Sequence, residues 1–284
     1  MLRPSYFLGQ SVLSALLLAC ASLQGAELPA PVAASIAQIS PTASLGEITP
    51  FEDAGETLYN VEVQTPGSPG AREWYFDSQG IPVGVQAFEK ELPPALRESL
   101  SLHLKQKDTE LSDVVKLFES DRFLFEVELR VGRESKVLGF YSDGLSAYTE
   151  ARLAELPQPL RKSIKQLEQT EGTVESILRL ETSGRGLYQL AFSRPGKPLW
   201  ITLNASGTAL EREEVIDYKT TPESVQAAIV AKTGSGQRVR ILLKHTGKTV
   251  EFEVHFFRDS KLHTLHLSET GETKGPSVEP LKLP

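Results

Sequence analysis

Three of the chain's five histidines fall close together near its C-terminal end, at His255, His263 and His266, among the carboxylates Glu251 and Glu253. Histidine beside carboxylate is the raw material of acid–base catalysis, of a nucleophilic triad or of a metal site. The spacing argues against each. His263 and His266 are three apart in a strand-like segment, so their side chains leave opposite faces and do not ligate one ion together. If the turn Arg258-Asp259-Ser260-Lys261 pairs His255 with Thr264, then His266 stands opposite Glu253, a cross-strand pair of surface type. No G-x-S-x-G, H-E-x-x-H or phosphate-binding glycine loop occurs. The sequence therefore reads as a non-enzyme that needs no cofactor, and neither catalytic nor metal-ligating residues are assigned.

A second set of residues suits recognition rather than chemistry. A strand-like row carries Glu73, Tyr75 and Asp77, with Tyr141 and Trp200 at corresponding places further on, beside Glu62, Glu126, Glu128, Glu251 and Glu253. Exposed Tyr and Trp among carboxylates are what protein-binding surfaces favour. Tyr75, Tyr141 and Trp200 are the expected partner-binding face. The same glutamates could attract a divalent cation, although a calcium site needs oxygens converging from bent loops rather than a flat row.

The elements that position these residues are set by a repeat. Pro29, Pro93, Pro157 and Pro222 are spaced by 64, 64 and 65 residues. Three places after each stands an apolar residue (Val32, Leu96, Leu160, Val225), six after a small one (Ser35, Ser99, Ser163, Ala228), and seven after another apolar one (Ile36, Leu100, Ile164, Ile229). Positions +3 and +7 share one face of a helix, and proline suits a helix's first turn. Gly80, Gly144, Gly207 and Gly271 come after the prolines in phase, by 51, 51, 50 and 49 residues. Each ends a segment of period-2 apolar pattern, such as Arg72–Gly80, and permits the positive φ of a tight turn. Further strands lie between, including 58–64, 123–130, 187–193 and 250–257.

The expected architecture is α+β: four tandem helix-plus-antiparallel-meander units at 28–90, 91–154, 155–217 and 220–271, each a two-layer α/β sandwich with a helix over one sheet face and water on the other. A unit this small is marginal alone, so neighbours are expected to pack together. Residues 272–284, polar with three prolines, read as a disordered tail.

The N-terminus has Arg3, then an apolar run from Val12 to Ala19 interrupted only by Ser14, then small residues, the pattern of a secretory signal peptide over 1–21. Two cleavages compete. Ala19-Cys20-Ala21 suits the ordinary leader peptidase, while Leu17-Leu18-Ala19-Cys20 resembles a lipobox that would lipidate Cys20. Cys20 is the one cysteine, which rules out an intrachain disulfide. Loss of the leader leaves 29 basic against 37 acidic side chains, a formal −8. That balance speaks against nucleic acid as a partner. Membrane contact is expected only through a lipid at Cys20.

The units resemble PepSY-like domains, related in fold to the β-lactamase inhibitor protein. Val61-Glu62-Val63, Phe125-Glu126-Val127 and Phe252-Glu253-Val254 match the family's V-E-V-like central strand, and Asp77-Ser78-Gln79-Gly80 its D-x-x-G-like turn. The other turns depart, with Tyr141, Asn204 and Ser268 in the Asp position, and cystatin-like folds share the order of helix and meander. The resemblance implies an exported, periplasmic or extracellular bacterial protein that binds or inhibits an envelope or extracellular protein, and it carries no catalytic residue across. The alternative reading is a structural or cation- and ligand-sequestering envelope protein.

Overall fold

A computed structural model describes residues 28–68, 70–119, 122–181, 186–275 and 278–284. The expected leader and Cys20 lie outside them. Helix α1 (Ala30–Ile39) leads into β1 (Ser44–Asp53), β2 (Glu56–Gln64), β3 (Arg72–Asp77) and β4 (Pro82–Gln86). Then come α2 (Pro94–Leu104) with β5 (Thr109–Phe118), β6 (Phe123–Val131), β7 (Glu134–Tyr141) and β8 (Ser146–Glu150). Helix α3 (Gln158–Glu171) precedes β9 (Thr173–Leu180), β10 (Leu187–Ser193), β11 (Leu199–Asn204) and β12 (Ala209–Ile216). Last are α4 (Glu223–Thr233), β13 (Arg240–Thr246), β14 (Thr249–Arg258), β15 (Lys261–Ser268) and the short β16 (Leu281–Lys282).

The landmark prolines are the N-caps of the four helices. Every +3 and +7 residue is buried, from Val32 and Ile36 to Val225 and Ile229. Each helix thereby closes its own apolar cluster against the strands that succeed it. The class is α+β: among the described residues, a mostly-sheet antiparallel meander with four α-helices.

The strands do not form separate sheets. All sixteen hydrogen-bond in sequence order within one sheet. Twist makes an open sheet of more than about ten strands curl, and this one curls until its far parts meet. The face away from the helices then packs on itself. Tyr75, Val115, Leu124, Tyr141, Tyr148 and Leu178 share one buried cluster there, and Ala54, Ala191, Trp200 and Leu242 share another. The expectation of a water-facing sheet is overturned by this closure, which no single helix-and-meander unit could produce.

Long-range contacts close the molecule. The Ala54 amide donates to Glu175 Oε2 at 2.8 Å. The Gly196 amide donates to the Gly55 carbonyl at 2.7 Å. Arg240 pairs with Glu56, and the Ser260 hydroxyl donates to the Gln38 carbonyl at 2.6 Å. The chain's end takes part as well. Residues 281–282 pair with Lys261 and Leu262, and Leu283 joins the cluster under α1 beside Val32, Phe257 and Leu262. The reading of 272–284 as a disordered tail is corrected in its described C-terminal part, because Leu281 and Leu283 supply apolar side chains that this core takes up.

Candidate functional site

The closure leaves a cleft of about 1120 Å³ along one rim. Its walls are turns that the sheet brings together from distant parts of the chain: the β1–β2 turn, Ser78 and Gln79 after β3, the β10–β11 turn at Ser193–Pro198, and the link from β12 into α4 at Asp217 and Tyr218. Glycine and proline recur in these turns, at Gly55, Gly80, Pro195 and Gly196, because they must reverse the chain at the end of each ladder. Gln79, Lys197 and Asp217 project at its mouth and are exposed.

The floor is ionic. Arg240, the first residue of β13, is 4% exposed and holds Glu56, with Asp77 at 3.6 Å. Asp77 also accepts backbone N–H bonds from Gln79 at 2.9 Å and Ile81 at 2.7 Å. Burial pushes its pKa up to about 7 against the pull of Arg240 and those two donors. On one wall Arg194 lies 3.6 Å from Glu171 and 3.9 Å from Glu214, and Arg212 lies 3.0 Å from Glu171. Both signs of charge thus line one concavity, fixed by ion pairs between separate elements rather than by flexible tips.

Deeper on the inner face lies a second ionic group. Lys244 bridges Glu213 at 2.6 Å and Glu253 at 2.8 Å. Its ammonium is held charged by the two carboxylates in spite of burial. Burial alone would raise Glu253, but Lys244 and His255 outweigh it and keep the carboxyl well below its usual range. His255 pairs with Thr264, and Glu253 with His266, in the register that the sequence suggests. Glu253 Oε1, His255 and Thr264 Oγ1 line up at 2.8 and 3.3 Å in the order of acid, base and hydroxyl. Both Glu253 and His255 are 0% exposed, so in this conformation no substrate reaches the group. The three side chains satisfy one another's buried polar atoms.

The residues expected to form a binding face are interior. Tyr75 is 0% exposed and its hydroxyl donates to Glu73 Oε2 at 2.6 Å. The Tyr141 ring is buried beneath the Arg122 guanidinium. Trp200 packs on Ala54 and Leu242. They lie on one face of one sheet but not on a surface. The acidic row is likewise dispersed: Glu62 faces Glu73 beside a 280 Å³ hollow, while Glu126 and Glu253 are buried elsewhere. Among the described residues no three His, Cys, Asp or Glu side chains converge as a cation cage. The sequence reading missed Glu56, Arg194 and Arg240. Each belongs to a different turn or strand end, and only the closure of the sheet unites them. Asp77 had a local signal, its place in the D-x-x-G-like turn.

No family model matches the chain, and no curated protein does. Solved structures similar to part of it include a DUF2874 family protein from Bacteroides ovatus, 14% identical over 42% of this chain and 84% of that one, with TM-score 0.36. A BLIP-like protein from Bacteroides fragilis is 16% identical over 45% and 89%, with TM-score 0.35. A DUF2874 family protein from Bacteroides uniformis is 20% identical over 42% and 86%, with TM-score 0.32.

Proposed function

We propose that the chain is an exported, non-enzymatic binding protein of the bacterial cell envelope, made of four tandem helix-plus-meander units, and that it holds a protein partner in the rim cleft. One observation carries this reading: turns from four distant segments are gathered around a rigid ionic floor. Loops held by a stiff sheet are where proteins place recognition. A concavity with both charge signs and exposed turn backbone suits a polar protein segment. Export rests on the leader pattern at 1–21, and a lipid at Cys20 would tether the protein to a membrane. The dispersal of the acidic row favours this reading over cation sequestration.

The test is a crosslinked pull-down from native envelope with tagged mature protein, beside a variant reversing the cleft mouth (Gln79→Arg, Lys197→Glu, Asp217→Lys). These three side chains are exposed. Gln79→Arg and Lys197→Glu should each stay within about 0.5 kcal/mol, and Asp217→Lys should cost about 1 kcal/mol, because the Asp217 carboxylate accepts the Lys219 N–H at 2.8 Å. One prominent protein captured by the parent and lost in the variant is the expected result. Capture that persists unchanged in the variant removes the cleft from the proposal.

A further inference from the structure

The β1–β2 turn does not rest on its own strands alone. Ala54 and Gly55 both have positive φ, 49° and 81°, the type I′ geometry of a two-residue hairpin, in which Asn-Gly is the favoured pair. An alanine in the left-handed region costs about 1–2 kcal/mol, so Ala54 is a poor choice for a free turn. Its fit lies across the cleft: its methyl is fully buried among Ala191, Trp200 and Leu242, from β10, β11 and β13. Gly55 is matched as closely, since a Cβ there would collide with the Arg194 backbone.

The remaining contacts read the turn as a ligand is read. Glu175 takes the Ala54 N–H, the Gly196 amide caps the Gly55 carbonyl, and Arg240 takes the Glu56 carboxylate. Every one of these groups belongs to β9 through β13, more than a hundred residues away in sequence. They recognise two backbone atoms, one methyl-sized side chain, one glycine and one acid. Nothing in that set is specific to the chain that supplies the turn.

We propose that the inner end of the cleft is a receptor for an acidic β-turn of a partner protein, and that Asp53-Ala54-Gly55-Glu56 is a tethered occupant which the incoming turn displaces. This rests on the reading of the cleft as a binding site and names what it binds. The tether gives the resident turn an effective concentration on the order of millimolar, so the intact protein is self-blocked toward weak turns. It opens to a partner that binds the turn slot and the cleft mouth together.

The experiment uses a fluorescent hairpin peptide with the sequence of residues 50–59, titrated by anisotropy against the full mature chain. In the Gly55→Val variant the resident turn cannot seat, and the peptide is expected to bind at least about tenfold more tightly than to the parent. A peptide carrying valine in place of its glycine should not bind. Because Gly55→Val also strains the turn itself, Glu56→Lys, which sets like charges together at Arg240, provides a second loosened variant with the same expected gain. Two folded variants, checked by circular dichroism, that show no gain would overturn the proposal. Dimerisation of the loosened variants with the peptide excluded would overturn it too, in favour of a second copy of the chain as occupant. Failure of the peptide beside a pull-down partner still lost on cleft-mouth reversal would remove this inference alone and leave the cleft reading standing.

Discussion

Glu126 shows what the closure of the sheet does to one side chain. It projects from β6 onto the inner face, is 5% exposed, and accepts the Tyr148 hydroxyl at 2.7 Å. Burial pushes its pKa from 4.5 up to about 8, with Asp53, Glu150 and Asp113 adding to the rise and Tyr148 opposing it. The acid is therefore bound more tightly by protons in the folded chain than in the unfolded one. Its contribution is fully favourable below about pH 4.5 and is lost as pH rises through about 8. Glu126→Gln keeps an acceptor for Tyr148 and removes the titration. Denaturant unfolding should show the variant and parent closest near pH 4.5. The variant should gain steadily above that, to at most about 5 kcal/mol at pH 8 and beyond. A difference independent of pH would show that Glu126 is not the titrating group.

At the scale of the element, two sequence landmarks explain each other. In the last three repeats the small residue six places after the proline, Ser99, Ser163 or Ala228, lies against the glycine of the turn after β7, β11 or β15. The Ser99 hydroxyl donates to the Gly144 carbonyl at 2.8 Å. Gly144 has φ of 81°, and a Cβ there would lie 2.6 Å from the Ala95 carbonyl oxygen. The glycine thus docks the strand turn on the first turn of α2. Gly144→Ala should cost about 1–3 kcal/mol through strain and helix displacement, read as a lower urea midpoint at unchanged slope. An unchanged midpoint would mean the helix shifts freely. These elements were legible because their causes are local: periodicity fixes the buried stripe, and proline and glycine punctuate it. The inner face was not legible by the same means. Tyr75, Tyr141 and Trp200 alternate with helix-facing residues, as wet-face residues do. Nothing within reach of β3, β7 or β11 announces that sixteen strands join in one sheet. Carboxylates in the same rows reinforced the wrong inference, since Glu126 and Glu253 read as solvated until their buried partners Tyr148 and Lys244 are known.

The whole molecule is held shut by a few long-range contacts on a sheet whose ladders are otherwise sequential. A meander whose neighbours are all local can lose strands from an end. Its cooperativity across distant parts must come from the seam. Arg240 is the seam's most vulnerable point in energetic terms, because it neutralises Glu56 and Asp77 at a buried position. Replacing it with methionine leaves two carboxyls without their cation, a loss of about 3–5 kcal/mol. With Asp77 raised to about 7, that loss should shrink below pH 7 as the carboxyl takes up a proton and grow as pH rises through that value. The damage should also be regional. Hydrogen exchange in Arg240→Met should quicken in β1 to β4 and in β13, which meet at the seam, while β6 and β7, which lie between, keep their protection. Uniform acceleration across all sixteen strands would instead mean that the sheet unfolds as one unit and that the seam adds stability without dividing it. Confined acceleration would locate the molecule's opening at the cleft, where a displaceable turn requires it.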